Sequence, residues 1–189
     1  TDNGDILVEG CVVWCDWGRN LELGAETNAP AFWNILFRNC DCIHGSTAFL
    51  DIQHHNRADI GQVTFEDIRV EYTKHQLPDV FQNDMDAPYP TDTPVRHPLL
   101  FCLPIYRSGL FAEDGLNGRI HDITFRNIRI LTDAPEVPVP ESAFLGLDAE
   151  HTVERICIAG VTCNGKRLAT REELRLHINE FVRDVTILP

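Results

Sequence analysis

The sequence predicts an all-β fold, a right-handed parallel β-helix, from a recurring phrase, its spacing and its alternation of apolar residues. In this phrase apolar side chains occupy alternate positions and are followed by Asn or Gly, as in the segments around Ile6 and Ile35. Its copies are anchored at six positions: Ile6, Ile35, Val63, Ile123, Ile156 and Val185. The steps between them are 29, 28, 60, 33 and 29 residues, and the step of 60 is one period plus a long insertion at residues 75–98.

The alternation with a period of two, in segments rich in Ile, Val, Phe and Thr, is typical of strands. A unit of about 28 residues is too short for a propeller blade and lacks the Leu and Asn framework of leucine-rich repeats. Each unit also has a second apolar run, such as Leu21-Glu22-Leu23 or Leu50-Asp51-Ile52. Several short strands per unit predict a single-stranded solenoid of about six coils in one domain, 1–189, in which each coil covers the apolar face of the next. The usual crossover preference predicts right-handed coiling.

Stacking of the repeats gives a structural explanation for residues that would otherwise suggest a functional site. One repeat position, where the chain is expected to turn a corner, is shared by Gly10, Asn39, Asp67, Asn127 and Gly160. Four of the seven cysteines take inward repeat positions: Cys11, Cys40, Cys42 and Cys163. We expect these four to be small buried hydrophobic residues rather than disulfides or metal ligands.

Composition and charge exclude several classes of protein. Apolar residues make up 43% of the chain and charged residues 24%, a balance typical of globular rather than disordered proteins. The net charge is −13, from 16 basic and 29 acidic residues, and we find no basic patch, so a nucleic-acid partner is not expected. No apolar run approaches the roughly 18 residues of a membrane helix, so no membrane association is expected either.

Two carboxylates are predicted to face each other on the outside of the second sheet. Glu22 and Asp51 are 29 residues apart and flanked by inward apolar residues, so we expect them on adjacent coils, ~4.8 Å apart. Two carboxylates this close resist double ionisation, so one should hold its proton near neutral pH. An acid beside an ionised carboxylate is the arrangement that cleaves a glycosidic bond. The alternative is that Arg19, Arg57 or a lysine bridges the carboxylates, which then only keep the sheet soluble.

The same alignment predicts three outward columns of residues: Glu22-Asp51-Cys102-Gly146, Gly24-Gln53-Pro104-Asp148 and Glu26-His55-Tyr106-Glu150. From these columns and the residues just beyond them we predict six substrate-binding side chains: Glu26, His55, Arg57, Tyr106, Arg107 and Asp148.

Just upstream of the columns, Asp16 and His44 occupy the same turn of successive coils and are catalytic candidates. Trp14, Trp17 and Trp33 are candidates for stacking on sugars, with buried corner packing as the alternative. His54 and His55 lack a third ligand, so no metal or other cofactor is expected.

These residues carry a family resemblance. The repeat resembles the pectin-lyase-like superfamily of right-handed β-helices over nearly the entire chain, and residues 8–53 resemble the polygalacturonase family of glycoside hydrolases. The matching stretches are Gly10-Cys11-Val12-Val13-Trp14-Cys15-Asp16-Trp17-Gly18 and Asn39-Cys40-Asp41-Cys42-Ile43-His44-Gly45-Ser46. The resemblance implies an acid/base role for Asp16 and a supporting role for His44.

The chain also departs from this family's pattern. Trp17 takes the place of the second of the family's paired aspartates, the Asn-Thr-Asp motif of the preceding coil is missing, and no Arg-Ile-Lys motif follows. We therefore expect a divergent relative with different substrate contacts.

These features together predict a metal-independent glycoside hydrolase that cleaves a polysaccharide, a pectin-like or other plant or microbial glycan. Asp16, Glu22 and Asp51 would share the acid and base roles. One alternative is a polyuronate lyase, which would use calcium and a Lys or Arg base and is disfavoured by the scarcity of basic residues in the columns. The other is a non-catalytic carbohydrate-binding or structural β-helix.

Two further expectations concern the setting of the chain. Enzymes that meet polysaccharides are ordinarily secreted, which predicts an extracellular or periplasmic location, although seven apparently unpaired cysteines fit an oxidising compartment poorly. The first strand begins near Ile6 with no helix to cover it, and an uncovered end invites aggregation. We therefore interpret the chain as the C-terminal part of a longer β-helix, with an upstream segment of the same protein as a possible partner.

Overall fold

The computed structural model describes residues 2–15, 17–73, 97–107 and 117–189. Within these ranges the regular secondary structure is entirely β, with seventeen strands. Since the described residues form no helix, none of them forms one long and apolar enough to cross a membrane. The all-β prediction is therefore confirmed for this part of the chain.

The strands form three sheets, here called A, B and C. Sheet A contains, in spatial order, β1 (Asn3–Glu9), β4 (Ala31–Arg38), β7 (Asp59–Glu66), β10 (Arg119–Arg126), β13 (Val153–Ala159) and β17 (Val182–Leu188). Sheet B contains β2 (Val12–Trp14), β5 (Asp41–His44), β8 (Arg69–Tyr72), β11 (Arg129–Thr132), β14 (Val161–Cys163) and β15 (Lys166–Leu168). Sheet C contains β3 (Arg19–Leu23), β6 (Ala48–Ile52), β9 (Leu99–Pro104), β12 (Ser142–Leu145) and β16 (Leu176–Ile178).

Successive strands of the chain visit sheets A, B and C in turn and then return to A. Neighbouring strands within each sheet are parallel, apart from the antiparallel pair β14 and β15. This arrangement is compatible with a β-helix.

The predicted register is confirmed at all six anchors in sheet A. Ile6 pairs with Ile35, and Ile35 pairs with Val63. Val63 then pairs with Ile123 across the step of 60 residues, so the long insertion leaves the register of the sheet intact. The remaining pairs, Ile123 with Ile156 and Ile156 with Val185, complete the series. Most of the predicted insertion, residues 75–96, lies outside the described residues.

A column of phenylalanine rings runs through the core between the sheets. Phe65 stacks on Phe37 with ring centroids 4.8 Å apart and on Phe125 at 5.3 Å. Phe125 also meets Phe101 from sheet C at 4.2 Å and Phe144 at 6.1 Å. The first two separations are close to the ~4.8 Å spacing of strands, so identical residues at one repeat position stack directly on one another.

The predicted corner positions adopt the left-handed conformation. Gly10, Asn39, Asp67, Asn127 and Gly160 have φ angles of 67°, 53°, 55°, 56° and 66°. Glycine, asparagine and aspartate tolerate this conformation better than other residues, which explains why they recur here. Asn127 Nδ2 donates a hydrogen bond of 3.0 Å to Asp67 Oδ1, so neighbouring corners are linked.

The sequence did not reveal a second left-handed column, at the residue before each anchor of sheet A. Its members have φ angles of 50° to 57°: Asp5, Asn34, Gln62, Asp122, Arg155 and Asp184. Gln62 and Arg155 are unusual residue types for this conformation. Arg155 Nε and Nη2 donate to Asp122 at 2.8 and 3.0 Å, and these bonds lower the pKa of Asp122 to about 2.

The cysteines are free thiols, and those at inward positions join the core. Cys40 and Cys42 are buried, and Cys11 and Cys163 pack against the core while remaining partly exposed. Burial raises the pKa of Cys42 to about 12, so its thiol stays protonated at neutral pH.

Candidate functional site

Sheet C places Glu22 and Asp51 side by side, as predicted. Glu22 of β3 pairs with Asp51 of β6, and Asp51 pairs in turn with Cys102 of β9. The flanking residues Leu21 and Leu50 also pair with each other and are buried in the core. Because side chains alternate along a strand, Glu22 and Asp51 lie on the face of sheet C that is turned away from the core.

Asp51, however, is not the exposed carboxylate that the column predicted. Its exposed fraction is 0%, although it lies on the outer face of the sheet. Burial raises its pKa to about 7, while the charge of Arg19 opposes the shift and that of Glu22 adds to it. The reason is steric, because Arg19 of the neighbouring strand approaches the carboxylate and covers it, so Asp51 cannot contact a polymer directly.

Arg19 bridges the two carboxylates. Its Nε atom lies 2.5 Å from Asp51 Oδ2 and 3.6 Å from Glu22 Oε1. The Arg19 side chain is 25% exposed, so the bridge closes the outer face over Asp51 but remains in contact with solvent. The Arg19 bridge that was predicted as the alternative to a catalytic role is therefore present. A catalytic function of the cluster formed by Arg19, Glu22 and Asp51 then depends on a further carboxylate close to Glu22.

Glu26 lies close to Glu22 and is the exposed acid of the cluster. A Cβ atom placed on Gly24 would lie 3.1 Å from Glu26 Oε2 and 3.8 Å from the carboxyl carbon of Glu22. These two atoms are therefore at most about 7 Å apart, the sum of the two distances. Burial raises the pKa of Glu22, Arg19 opposes this shift, and the charge of Glu26 adds to it.

The sequence predicts Glu26 as a substrate-binding residue, and its closeness to Glu22 is a finding of the structure. The signal was present in the segment Glu22-Leu23-Gly24-Ala25-Glu26, where a glycine between two acids removes the side chain that would separate them.

His55 and Tyr106 form the next part of the same surface. Their ring centroids are 4.6 Å apart with the planes tilted by 49°, which agrees with the predicted column. Neither ring nitrogen of His55 has a hydrogen-bond partner among the described residues. Burial lowers the pKa of His55, the charge of Arg19 lowers it further and that of Glu26 opposes the shift. The neutral imidazole is therefore favoured, with one nitrogen able to donate and the other to accept.

The outward columns predicted from the sequence do not continue from β9 to β12. Cys102 pairs with Ala143 rather than with Gly146, and Pro104 pairs with Leu145 rather than with Asp148. The register is thus three residues away from the prediction. The physical reason is that the buried side chain in β12 is Phe144, whereas Leu145, which an outward Gly146 would place inward, is 38% exposed.

The remaining predicted binding residues lie at the margin of this surface. Asp148 accepts hydrogen bonds from His151 Nδ1 at 2.7 Å and from the backbone nitrogen of Glu150 at 3.0 Å. Arg107 Nη2 is 3.4 Å from Asp148 Oδ2, so this pair is connected. Arg57 is exposed.

His44 lies at the end of sheet B, where the chain turns towards sheet C. Its ring stacks on Trp14 with centroids 5.0 Å apart and planes 14° from parallel. Asn20 Nδ2 donates a hydrogen bond of 2.6 Å to the carbonyl oxygen of His44, which ties this corner to β3. Asp16, the other candidate on this turn, lies outside the described residues.

The three tryptophans are on the surface rather than in buried corners. Trp14, Trp17 and Trp33 are exposed, so the packing alternative does not hold for them.

Among the described residues, no group of three or more His, Cys, Asp or Glu side chains is arranged to hold a metal ion.

Comparisons of the chain with protein-family models, with curated proteins and with solved structures find no significant match.

Proposed function

We propose that this chain is a glycoside hydrolase that binds a polysaccharide along the outer face of sheet C. The observation that carries the proposal is the pair formed by Glu22 and Glu26, whose carboxyl groups are at most about 7 Å apart. Glycosidases use two carboxyl groups about 5–9.5 Å apart, one protonated and one ionised.

The environments of the two acids assign their roles. Burial and the charge of Glu26 raise the pKa of Glu22, so Glu22 is the proton donor to the glycosidic oxygen. Glu26 is exposed and serves either as the base that activates water or as the nucleophile. In both cases the proton leaves the Glu22 carboxyl group as the bond to the departing sugar breaks.

Arg19 and Asp51 act as positioning residues in this proposal. Arg19 lies 3.6 Å from Glu22 Oε1 and holds that side chain over the sheet, while the buried Asp51 holds Arg19 at 2.5 Å. Asp51 has no exposed surface, so we no longer place it among the groups that touch substrate.

Substrate contacts are proposed along the rest of the same face. Tyr106, which is 39% exposed, would stack on sugar units beside Glu26, with the His55 ring packed against it. Arg57, Arg107 and Asp148 would extend the binding surface. The acid/base and supporting roles that the family resemblance implies for Asp16 and His44 stay predictions, separate from the roles of Glu22 and Glu26 in this proposal.

The proposed architecture is a right-handed, pectin-lyase-like β-helix of about six coils, which the cyclic visiting of sheets A, B and C supports. A secreted location completes the proposal.

One observation favours a non-catalytic alternative. Arg19 already neutralises part of the charge of Glu22 and Asp51, as expected for a passive carbohydrate-binding surface. A polyuronate lyase is the other alternative, and Arg19 would then be the nearest candidate base.

Product analysis on a panel of pectic and other glycans separates the three functions. A hydrolase releases new reducing ends without a requirement for calcium, so a chelator leaves the rate unchanged. A lyase generates unsaturated products that absorb in the ultraviolet and loses activity with the chelator. A binding protein retains the glycans and releases nothing.

Variants then test the assigned pair. We expect Glu22→Gln and Glu26→Gln each to lower the rate of hydrolysis by about a hundredfold or more, the usual contribution of general acid–base catalysis. Glu9→Gln is the matched control, because Glu9 is an exposed glutamate on sheet A that pairs with Arg38. If both sheet C variants keep the full rate, the assignment of this pair is wrong.

A further inference from the structure

A groove of about 360 Å³ lies where strands β5, β8 and β11 of sheet B end. We refer to it as the sheet B groove. Its walls include Trp14 and His44 on one side, and Leu131 and Asp133 on the other. Glu71 and Thr73 lie between them, because β8 is the strand between β5 and β11. Two strand spacings, roughly 10 Å, separate His44 of β5 from Leu131 of β11, which is enough for one sugar ring, and Trp14 of β2 lies one spacing farther along the sheet.

We propose that the sheet B groove binds a neutral pyranose unit of a glycan, separately from the carboxylate pair on sheet C. The groove combines an aromatic and aliphatic wall with hydrogen-bonding groups in its middle. A pyranose ring presents the same combination, with an apolar C–H face and a rim of hydroxyl groups.

The apolar part of the groove is built from large exposed side chains. Trp14 is 63% exposed and Leu131 is 48% exposed, although both occupy regular strands. Trp14 stacks nearly parallel on His44, and this contact fixes the orientation of both rings. Exposed, rigid aromatic rings of this kind mark binding surfaces, because they bury a large area at a low cost in side-chain entropy.

The polar part of the groove favours hydroxyl donors over anions. Glu71 and Asp133 contribute carboxylates, which accept hydrogen bonds from sugar hydroxyl groups. Thr73 Oγ1 donates a hydrogen bond of 2.7 Å to Asp133 Oδ2, so the Asp133 carboxylate is held in place before a ligand arrives. Two carboxylates in one groove repel the carboxylate of a uronic acid, and we therefore expect selectivity for neutral sugars.

Calorimetric titration with neutral oligosaccharides and with oligogalacturonates tests this inference. The neutral panel consists of gluco-, xylo-, manno- and galacto-oligosaccharides of four to six units. We expect at least one neutral oligosaccharide to bind more tightly than any oligogalacturonate. We also expect Trp14→Ala and Leu131→Ser each to weaken that binding about tenfold, the equivalent of about 1.4 kcal/mol. Leu7→Ser is the matched control, because Leu7 is a leucine on sheet A that is 55% exposed, and the affinity of this variant should stay within about twofold of that of the unaltered protein.

Removal of the two carboxylates of the groove tests its selectivity against uronic acids independently. The double variant Glu71→Gln, Asp133→Asn should bind oligogalacturonates at least about threefold more tightly than the unaltered protein, since the repulsion is gone. Melting temperatures of all variants show whether they fold. If Trp14→Ala does not fold, Leu131→Ser alone tests the groove.

The inference is overturned if no neutral oligosaccharide binds, if oligogalacturonates bind more tightly, or if Trp14→Ala and Leu131→Ser both retain full affinity. All titrations are repeated with Glu22→Gln. Retained binding in this variant supports a separate site, whereas binding that is lost with Glu22→Gln but not with Leu131→Ser assigns the contact to sheet C and overturns the inference.

Discussion

At the scale of single residues, the buried Asp51 determines how the outer face of sheet C responds to pH. Its pKa in the folded protein is raised to about 7 from 3.8, chiefly by burial. The folded state therefore binds a proton that the unfolded state releases. The stability from the neutral acid is fully present below about pH 3.8 and is lost as the pH rises to about 7.

Asp51→Asn should therefore gain stability relative to the unaltered protein as the pH rises. Asparagine resembles the neutral acid and does not titrate. Between pH 4 and pH 8 we expect the difference in the free energy of unfolding to shift towards the variant by a few kcal/mol, at about 1.4 kcal/mol per pKa unit. Denaturant unfolding at several pH values measures this difference. Glu180→Gln is the control for the loss of one charge, because Glu180 is exposed. If the difference in the free energy of unfolding does not change with pH, the raised pKa of the buried Asp51 carboxyl group is contradicted.

Glu22 and Glu26 are predicted to be electrostatically coupled. The charge of Glu26 raises the pKa of Glu22, so Glu26→Gln should lower it. Carbon-detected NMR titration of the glutamate carboxyl groups measures this shift directly, without any need for activity. If the pKa of Glu22 stays the same in this variant, the two carboxylates are not neighbours in solution.

At the scale of strands, the left-handed position before each anchor of sheet A gives a stability test. Gln62 has a φ of 55°, a conformation that glycine adopts without steric cost. We expect Gln62→Gly to be neutral or to stabilise the protein by up to about 1 kcal/mol, because removal of the Cβ atom relieves the strain. Thr64→Gly, in the same strand but outside the left-handed positions, should cost about 0.5–1 kcal/mol. Thermal unfolding of both variants makes the comparison, and equal losses would argue against strain at Gln62.

The phenylalanine column should contribute strongly to stability. Phe125 is fully buried and its ring lies against Phe65, Phe101 and Phe144. We expect Phe125→Ala to lower the free energy of unfolding by about 3–5 kcal/mol, through lost apolar burial and the cavity that remains. Leu131→Ala, at an exposed position of sheet B, should change it by less than about 0.5 kcal/mol. Denaturant unfolding of the two variants tests whether the column is the centre of the core.

The sequence allowed the strand register to be predicted because parallel stacking brings equivalent positions of the repeat together. The anchors from Ile6 to Val185 followed from aligning the recurring phrase, and the pairing of Glu22 with Asp51 followed from their separation of 29 residues. The burial of Asp51 could not be predicted, since it depends on where the flexible Arg19 side chain lies. The register of β12 was missed because both Phe144 and Leu145 are apolar, and alternation alone does not tell which of them is inward.

At the scale of the whole molecule, the net charge bears on which glycan the protein can use. The chain carries 29 acidic and 16 basic residues, and both proposed glycan sites contain carboxylates. A polyuronate is itself a polyanion, so long-range repulsion should slow its approach at low ionic strength. A neutral glycan experiences no such repulsion, and methyl esterification makes a pectin largely neutral.

We therefore expect methyl-esterified pectin or a neutral glycan to be a better substrate than de-esterified pectate at low salt. Raising the ionic strength from about 0.01 M to 0.1 M shortens the screening length from about 30 Å to about 10 Å. Binding and turnover of pectate should rise over this range, whereas those of a neutral glycan should not change. Initial rates on matched pectins of high and low esterification, at several salt concentrations, measure the effect. A rate on pectate that falls as salt is added would mean that local basic groups attract the polyuronate and override the net charge, since screening weakens attraction as it weakens repulsion.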